Sequence, residues 1–242
     1  MIISRRTKLF QLFVAVFFIS AFVGLGVWQL YRAEQKERLQ DRYADRRLAP
    51  ALLIDPDSVG NEDLDFRKLR MHGHFDIRKQ FYLSNKLYEH RLGYHVIAPF
   101  RFRGSNTAVL VNLGWVPHRS TDPSVLPSVV IPQTQMELVG SVYRPIHNRF
   151  VAAEPTVRRE LWPLLWPQMN IQYFANRVSY QVLPYIVRLD PKQPTVGFVR
   201  QWPRPQLRPE RNRGYAFQWF AMALAVAVTY VVLGLRRRRK LL

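Results

Sequence analysis

Two long stretches without a charged residue constrain this chain more than any other feature. From Leu9 to Tyr31 it reads LFQLFVAVFFISAFVGLGVWQLY, and from Ala216 to Leu235 AFQWFAMALAVAVTYVVLGL. At ~1.5 Å per residue these make helices of about 35 and 30 Å. Either can cross a hydrocarbon core of roughly 30 Å. Core helices of soluble domains seldom run so long without a charge. The expectation is a membrane protein with two transmembrane α-helices.

The first run is longer than the ~7–15 residues of a signal-peptide core, and no A-x-A-like site follows it. The charged segment RAEQKERLQDRYADRR comes next, which favours an uncleaved anchor. An Arg- and Ser-rich transit peptide is also missing, so the reading is a bacterial cytoplasmic (inner) membrane protein. Arg5, Arg6 and Lys8 precede the first helix and Arg236 to Lys240 follow the second, which favours cytoplasmic ends. Arg32, Lys36, Arg38 and Arg42 nearly balance the first helix, so the RRRRK tail decides. This predicts a cytoplasmic 1–8, spans at 9–31 and 215–235, a periplasmic 32–214 and a cytoplasmic basic tail at 236–242.

A formal net charge of +19 raises the question of nucleic acid. Eight of the 36 basic residues sit on the two flanks, which leaves 28 against 17 acidic residues in the long loop. That excess is spread over the loop rather than gathered into a stripe, and a periplasmic domain meets no chromosome. The lipid bilayer is the fitting partner, and nucleic acid is excluded. The chain has no cysteine, so disulfides are ruled out.

Residues 32–47 lack Gly and Pro and read as the first helix continuing, with Glu34 and Arg38 as an i,i+4 pair and Pro50 as its end. Strand patterns follow at 66–76, 80–85, 93–103, 107–117, 135–144 and 183–190, with a hairpin turn at Gly104-Ser105-Asn106. Pro167, Ile171, Phe174 and Val178 suggest a helix over 167–180. The predicted loop domain is therefore extracytoplasmic and mainly antiparallel β, of α+β class.

Motifs for chemistry are sparse. His72, His74, His90, His95, His118 and His147 form no H-E-x-x-H, and there is no G-x-S-x-G or Walker loop. His72-Gly-His74 puts two rings on one strand face, which suits solvent-facing polar residues better than a metal. A periplasmic hydrolase has no supporting constellation, and the chain reads as a non-enzyme with no catalytic or metal-ligating residues.

Aromatic and basic residues instead gather where the apolar runs meet the loop. Trp28, Gln29, Tyr31 and Arg32 close the first helix; Tyr215, Phe217, Gln218 and Trp219 open the second, after a turn-like Asn-Arg-Gly. An aromatic belt accounts for Trp and Tyr. It leaves Gln29 and Gln218, which are costly against lipid and cheaper between paired helices, where they would face each other.

Four blocks, LGVWQLYRAEQK (25–36), GYHVIAPF (93–100), VLVNLGWVP (109–117) and RGYAFQWF (213–220), occur in an order and spacing that resembles the surfeit locus protein 1 family. The matching positions are Trp28, Gln29, Gly93, Tyr94, Asn112, Gly114, Trp115, Val116, Tyr215, Ala216 and Trp219. The resemblance implies an assembly factor for cytochrome c oxidase that helps place haem a in subunit I, with subunit I and the haem a synthase as partners. It implies a haem or partner surface at Trp28, Gln29, Arg32, Arg211, Asn212, Arg213, Tyr215, Gln218 and Trp219. Two positions depart from the family pattern. Leu113 stands where the block usually has Arg, and Asn212 where it usually has the His favoured as axial haem ligand. An amide is a poor iron ligand, so a membrane chaperone that binds no haem stays open as the alternative. His95 and His118, in or just after family blocks, are candidate substitute ligands.

Overall fold

The computed structural model describes residues 5–56, 63–118, 125–145, 162–193, 197–203 and 207–239. It divides into two compact units, Met1–Ala44 with Arg204–Leu242, and Asp45–Pro203.

The first unit is a helix pair. Helix α1 spans Arg5–Leu48 without a break, because nothing before Pro50 interrupts it. Arg38 and Glu34 form the anticipated ion pair. Helix α3 spans Pro209–Arg239. Both contain stretches long and apolar enough to cross a membrane. The Asn-Arg-Gly triplet is helical, not a turn. Pro209 occupies the first helical position, where its missing N–H costs nothing, and Glu210 favours the amino-terminal end of the helix. The helix therefore starts upstream of Asn212 and carries it.

The two helices run antiparallel. Their seam is made of small residues: Ala15, Ala33, Ala216 and Ala223 are buried, and a Cβ on Gly26 would lie 2.5 Å from the Phe220 ring. Small residues let membrane helices approach closely. Phe22 stacks on Trp219 at 5.7 Å.

The second unit is a barrel-like sheet. Its strands are β1 (Leu52–Leu53), β2 (Lys68–Phe75), β3 (Phe81–Tyr88), β4 (Arg91–Phe102), β5 (Thr107–Pro117), β6 (Met136–Tyr143), β7 (Leu164–Trp166) and β8 (Gln181–Leu189). They are ordered β1-β2-β6-β8-β5-β4-β3-β7, and an extra β2–β4 pairing closes the ring. Only β1–β2, β3–β7 and β5–β8 are parallel; the remaining pairs are antiparallel. The β4–β5 hairpin turns through Gly104, whose φ of 75° suits a residue without a side chain.

Alternation puts Met71, Val96, Phe100, Val111 and Val187 in one core. Phe81, Ile97, Leu110 and Ile186 face the other way, against Trp166 and Phe174. Helix α2 is only Ile171–Ala175, much shorter than the helix anticipated over 167–180. Asn170 starts it by accepting from the Tyr173 amide at 2.9 Å, and residues 167–169 form a bend between β7 and the helix.

Candidate functional site

In the helical unit, three polar side chains meet across the seam at the end of the first apolar run. Gln29 and Lys36 are seven residues apart on α1 and so share a face. Asn212 of α3 lies between them. Lys36 Nζ donates to Asn212 Oδ1 at 2.7 Å, and Asn212 Nδ2 donates to Gln29 Oε1 at 2.6 Å. An ammonium has no acceptor, so it fixes which end of the amide is oxygen. The other end must then donate to Gln29. All three side chains are half-buried. Arg213 Nη2 reaches Glu37 at 2.7 Å beside them.

The anticipated Gln29–Gln218 pair is not formed. Gln218 is exposed, and the partner of Gln29 is Asn212. The reason is the helical phase: the buried positions of α3 run through Ala216 and Ala223, and Gln218 points off that stripe. Trp28 and Arg32 are exposed on α1, and Arg32 reaches only Gln35 of its own helix. Arg211 folds onto Tyr215, one turn on, with its guanidinium 5.8 Å from the ring. Trp219 turns inward to Phe22. The nine sequence candidates thus divide into a seam group (Gln29, Asn212, Arg213, Trp219) and an outer group (Trp28, Arg32, Arg211, Tyr215, Gln218). Lys36 and Glu37 were missed as site residues. The seven-residue step from Gln29 to Lys36 is the signal that could have found the first.

The two middle blocks form one structure in the β unit. Asn112 Oδ1 accepts the Gly114 amide at 3.1 Å, and its Nδ2 lies 3.2 Å from His95 Nδ1. The backbone donor again fixes the amide, so His95 Nδ1 is the acceptor and Nε2 carries the proton. Burial, then the nearby Lys86 and Arg188 cations, push His95 down to about 4. It is a neutral, structurally committed imidazole. Trp115 donates its indole N–H to the Lys86 carbonyl at 2.9 Å. Gly114, at φ 133°, lets the chain pass Val199, whose carbonyl would lie 2.8 Å from a Cβ there.

Leu113 is fully buried, and its carbonyl accepts from the buried Arg200 at 2.8 Å. His118 rests on the Tyr94 ring at 5.2 Å. His72 lies 3.6 Å from Glu137, and His74 3.2 Å from Gln135. His147 lies outside the described residues. No group of three potential metal-ligating side chains occurs among the described residues.

The sequence profile of the SURF1 family matches residues 16–224. The chain belongs to the SURF1 family. Among curated relatives, Surfeit locus protein 1 of Xenopus tropicalis is 26% identical over 229 residues, covering 87% of this chain and 71% of that protein. The Rattus norvegicus protein of the same name is 25% identical over 219 residues, covering 84% and 69%. The Mus musculus protein is 26% identical over 166 residues, covering 63% and 54%, so the match spans about half of that relative's length.

The family reading raises the question of haem, and the donor set answers it in part. Exposed Trp28 and Tyr215 and the arginines beside them suit a flat apolar disc with two carboxylates. An iron ligand is another matter. The helical unit contains no histidine or cysteine, and both ends of the Asn212 amide are already bonded. These residues do not fit an axially ligated haem iron.

Proposed function

We propose that this SURF1-family chain is a non-enzymatic assembly factor for a haem–copper (cytochrome c) oxidase. It would act in the bacterial cytoplasmic membrane with its β unit on the periplasmic side. Its partners would be oxidase subunit I and the haem a synthase. The observation that carries this reading is the Gln29–Asn212–Lys36 chain, built from the first family block and the residue just before the last. It makes the two terminal helices one docking element rather than two separate anchors. A half-buried polar link between membrane helices favours a single pairing over several alternatives.

Any help given to haem a delivery would run through ring faces and propionate charge at the outer group, with no iron ligand from the helical unit. The engaged amide of Asn212 favours the second reading, a chaperone that holds subunit I or the synthase and binds no haem itself. A deletion strain tests the assembly role: the oxidase's haem a and copper centres should be diminished and are assayed separately. Intact oxidase spectra in that strain would remove the proposal. A Soret band on the purified chain separates the two readings, its presence favouring haem contact and its absence the protein chaperone.

A further inference from the structure

Toward the start of α1 and the end of α3 the two helices part around a cleft of about 880 Å³. Its walls are Phe10, Val14 and Phe18 on α1 and Val226, Leu233 and Leu235 on α3. The opposite end of the pair is closed by Phe220 on Gly26 and by the Asn212 link. The opening therefore lies at the end that carries Arg5, Arg6 and Arg236. Sequence makes that end strongly cationic. Residues 1–33 and 211–242 contain no Asp or Glu, and Lys8 and Arg237 to Lys240 add to the same flanks.

Two features say what this cleft takes. A third membrane helix packs best on small residues that let backbones approach. Ala15, Ala225 and Gly234 also line this cleft, but the larger Phe10, Phe18, Leu233 and Leu235 side chains stand beside them and leave room for a hydrocarbon chain. The cationic mouth supplies the second feature, since basic pockets between membrane helices take anionic headgroups. We propose that the cleft binds one anionic phospholipid, with an acyl chain between Phe10, Phe18 and Val226 and its phosphate at Arg5, Arg6 and Arg236. The Thr229 and Tyr230 hydroxyls, also in the lining, add polar contacts beside the chain. The lipid would wedge the open end while the polar link holds the closed end, and so fix the angle between the helices.

The test uses the full chain in nanodiscs of phosphatidylglycerol and phosphatidylcholine at one to nine, followed by native mass spectrometry of retained lipid. One tightly held lipid is expected, with phosphatidylglycerol preferred about tenfold over phosphatidylcholine once their one-to-nine ratio is allowed for, so that it makes up about half of the retained lipid. The joint Ala15→Leu, Gly234→Leu variant fills the cleft and should lose that lipid. Replacing Arg5, Arg6 and Arg236 by Gln should keep a lipid but abolish the headgroup preference. Folding of each variant is checked by a disulfide between cysteines placed at 29 and 212. Retention in proportion to bulk composition, or retention unchanged in a correctly folded filled variant, overturns the proposal. Should the filled variant fail to fold, the headgroup competition in the wild type decides alone.

Discussion

The indole of Trp115 occupies the space that a side chain at Gly93 would need. A Cβ there would come within 2.5 Å of the Trp115 ring and 2.3 Å of the Val116 carbonyl. Two family blocks are thereby locked together across the β4–β5 pair. The ring can tilt, but the carbonyl belongs to the sheet and cannot move without breaking pairing. Gly93→Ala should therefore destabilise by about 3 kcal/mol, at the upper end of overpacking costs. Gly214→Ala, on an exposed helix surface with no atom within 4 Å, should be neutral or stabilising by up to ~1 kcal/mol. Denaturant titration of the detergent-solubilised chain compares them, and equal midpoints would contradict the locked arrangement.

The polar link predicts which cysteine pairs join. Cysteines at 29 and 212 should crosslink in membranes with copper phenanthroline, whereas 29 with 218 should not. Gln29→Leu with Asn212→Leu should also be non-additive, with a coupling of roughly 0.5–3 kcal/mol, because they share one hydrogen bond. Additive losses and a 29–218 disulfide would restore the glutamine pairing expected from sequence.

Much of this was legible in the sequence because it rests on long patterns. Two uncharged runs gave two helices, and alternation gave six strands, each longer than seven residues once paired. The short elements were not legible. Strands β1 and β7 have two and three residues, too few for alternation to register, and they exist through partners distant in sequence. Helix α2 was overextended because apolar spacing carried across a boundary that Asn170 sets. At the site, composition found Gln29 but paired it with the wrong residue. Glutamine seeks any polar partner, and the helical phase that chooses between Asn212 and Gln218 depends on where α3 begins.

An axial ligand can be supplied at position 212. Asn212→His would place an imidazole at the seam, and imidazole nitrogen is a far better donor to iron than an amide. Haem titrated into the solubilised variant should bind more tightly than in wild type and give a sharper, histidine-ligated Soret band. The gain should fade below pH ~6, where the ring protonates. Equally weak binding in both proteins would favour the chaperone that carries no haem.

Orientation is checked by fusion. A reporter that works only in the periplasm should be active after Arg119, which lies outside the described residues, and silent after Leu242. The reverse pattern would show that the basic residues flanking α1 outweigh the Arg tail, and would remove the proposed periplasmic placement.

His95 supplies a pH signature for the β unit. Its folded pKa is pushed down to about 4 from an ordinary 6.5, first by burial and then by Lys86 and Arg188. A histidine held neutral in the fold takes up its proton more readily when unfolded, so acid favours unfolding. Above pH ~6.5 neither state is protonated, and the group contributes no slope. Between about 6.5 and 4 the unfolded chain binds the proton first, and stability falls by up to roughly 3 kcal/mol, at ~1.4 kcal/mol per unit. Below about 4 the folded ring protonates as well, and the loss levels off. His95→Gln, which retains a polar partner for Asn112 but cannot titrate, should flatten the slope between pH 6.5 and 4. Denaturation midpoints of both proteins measured across that window decide it. Parallel curves would mean that His95 is not held neutral, and would undo the tautomer assigned from Asn112.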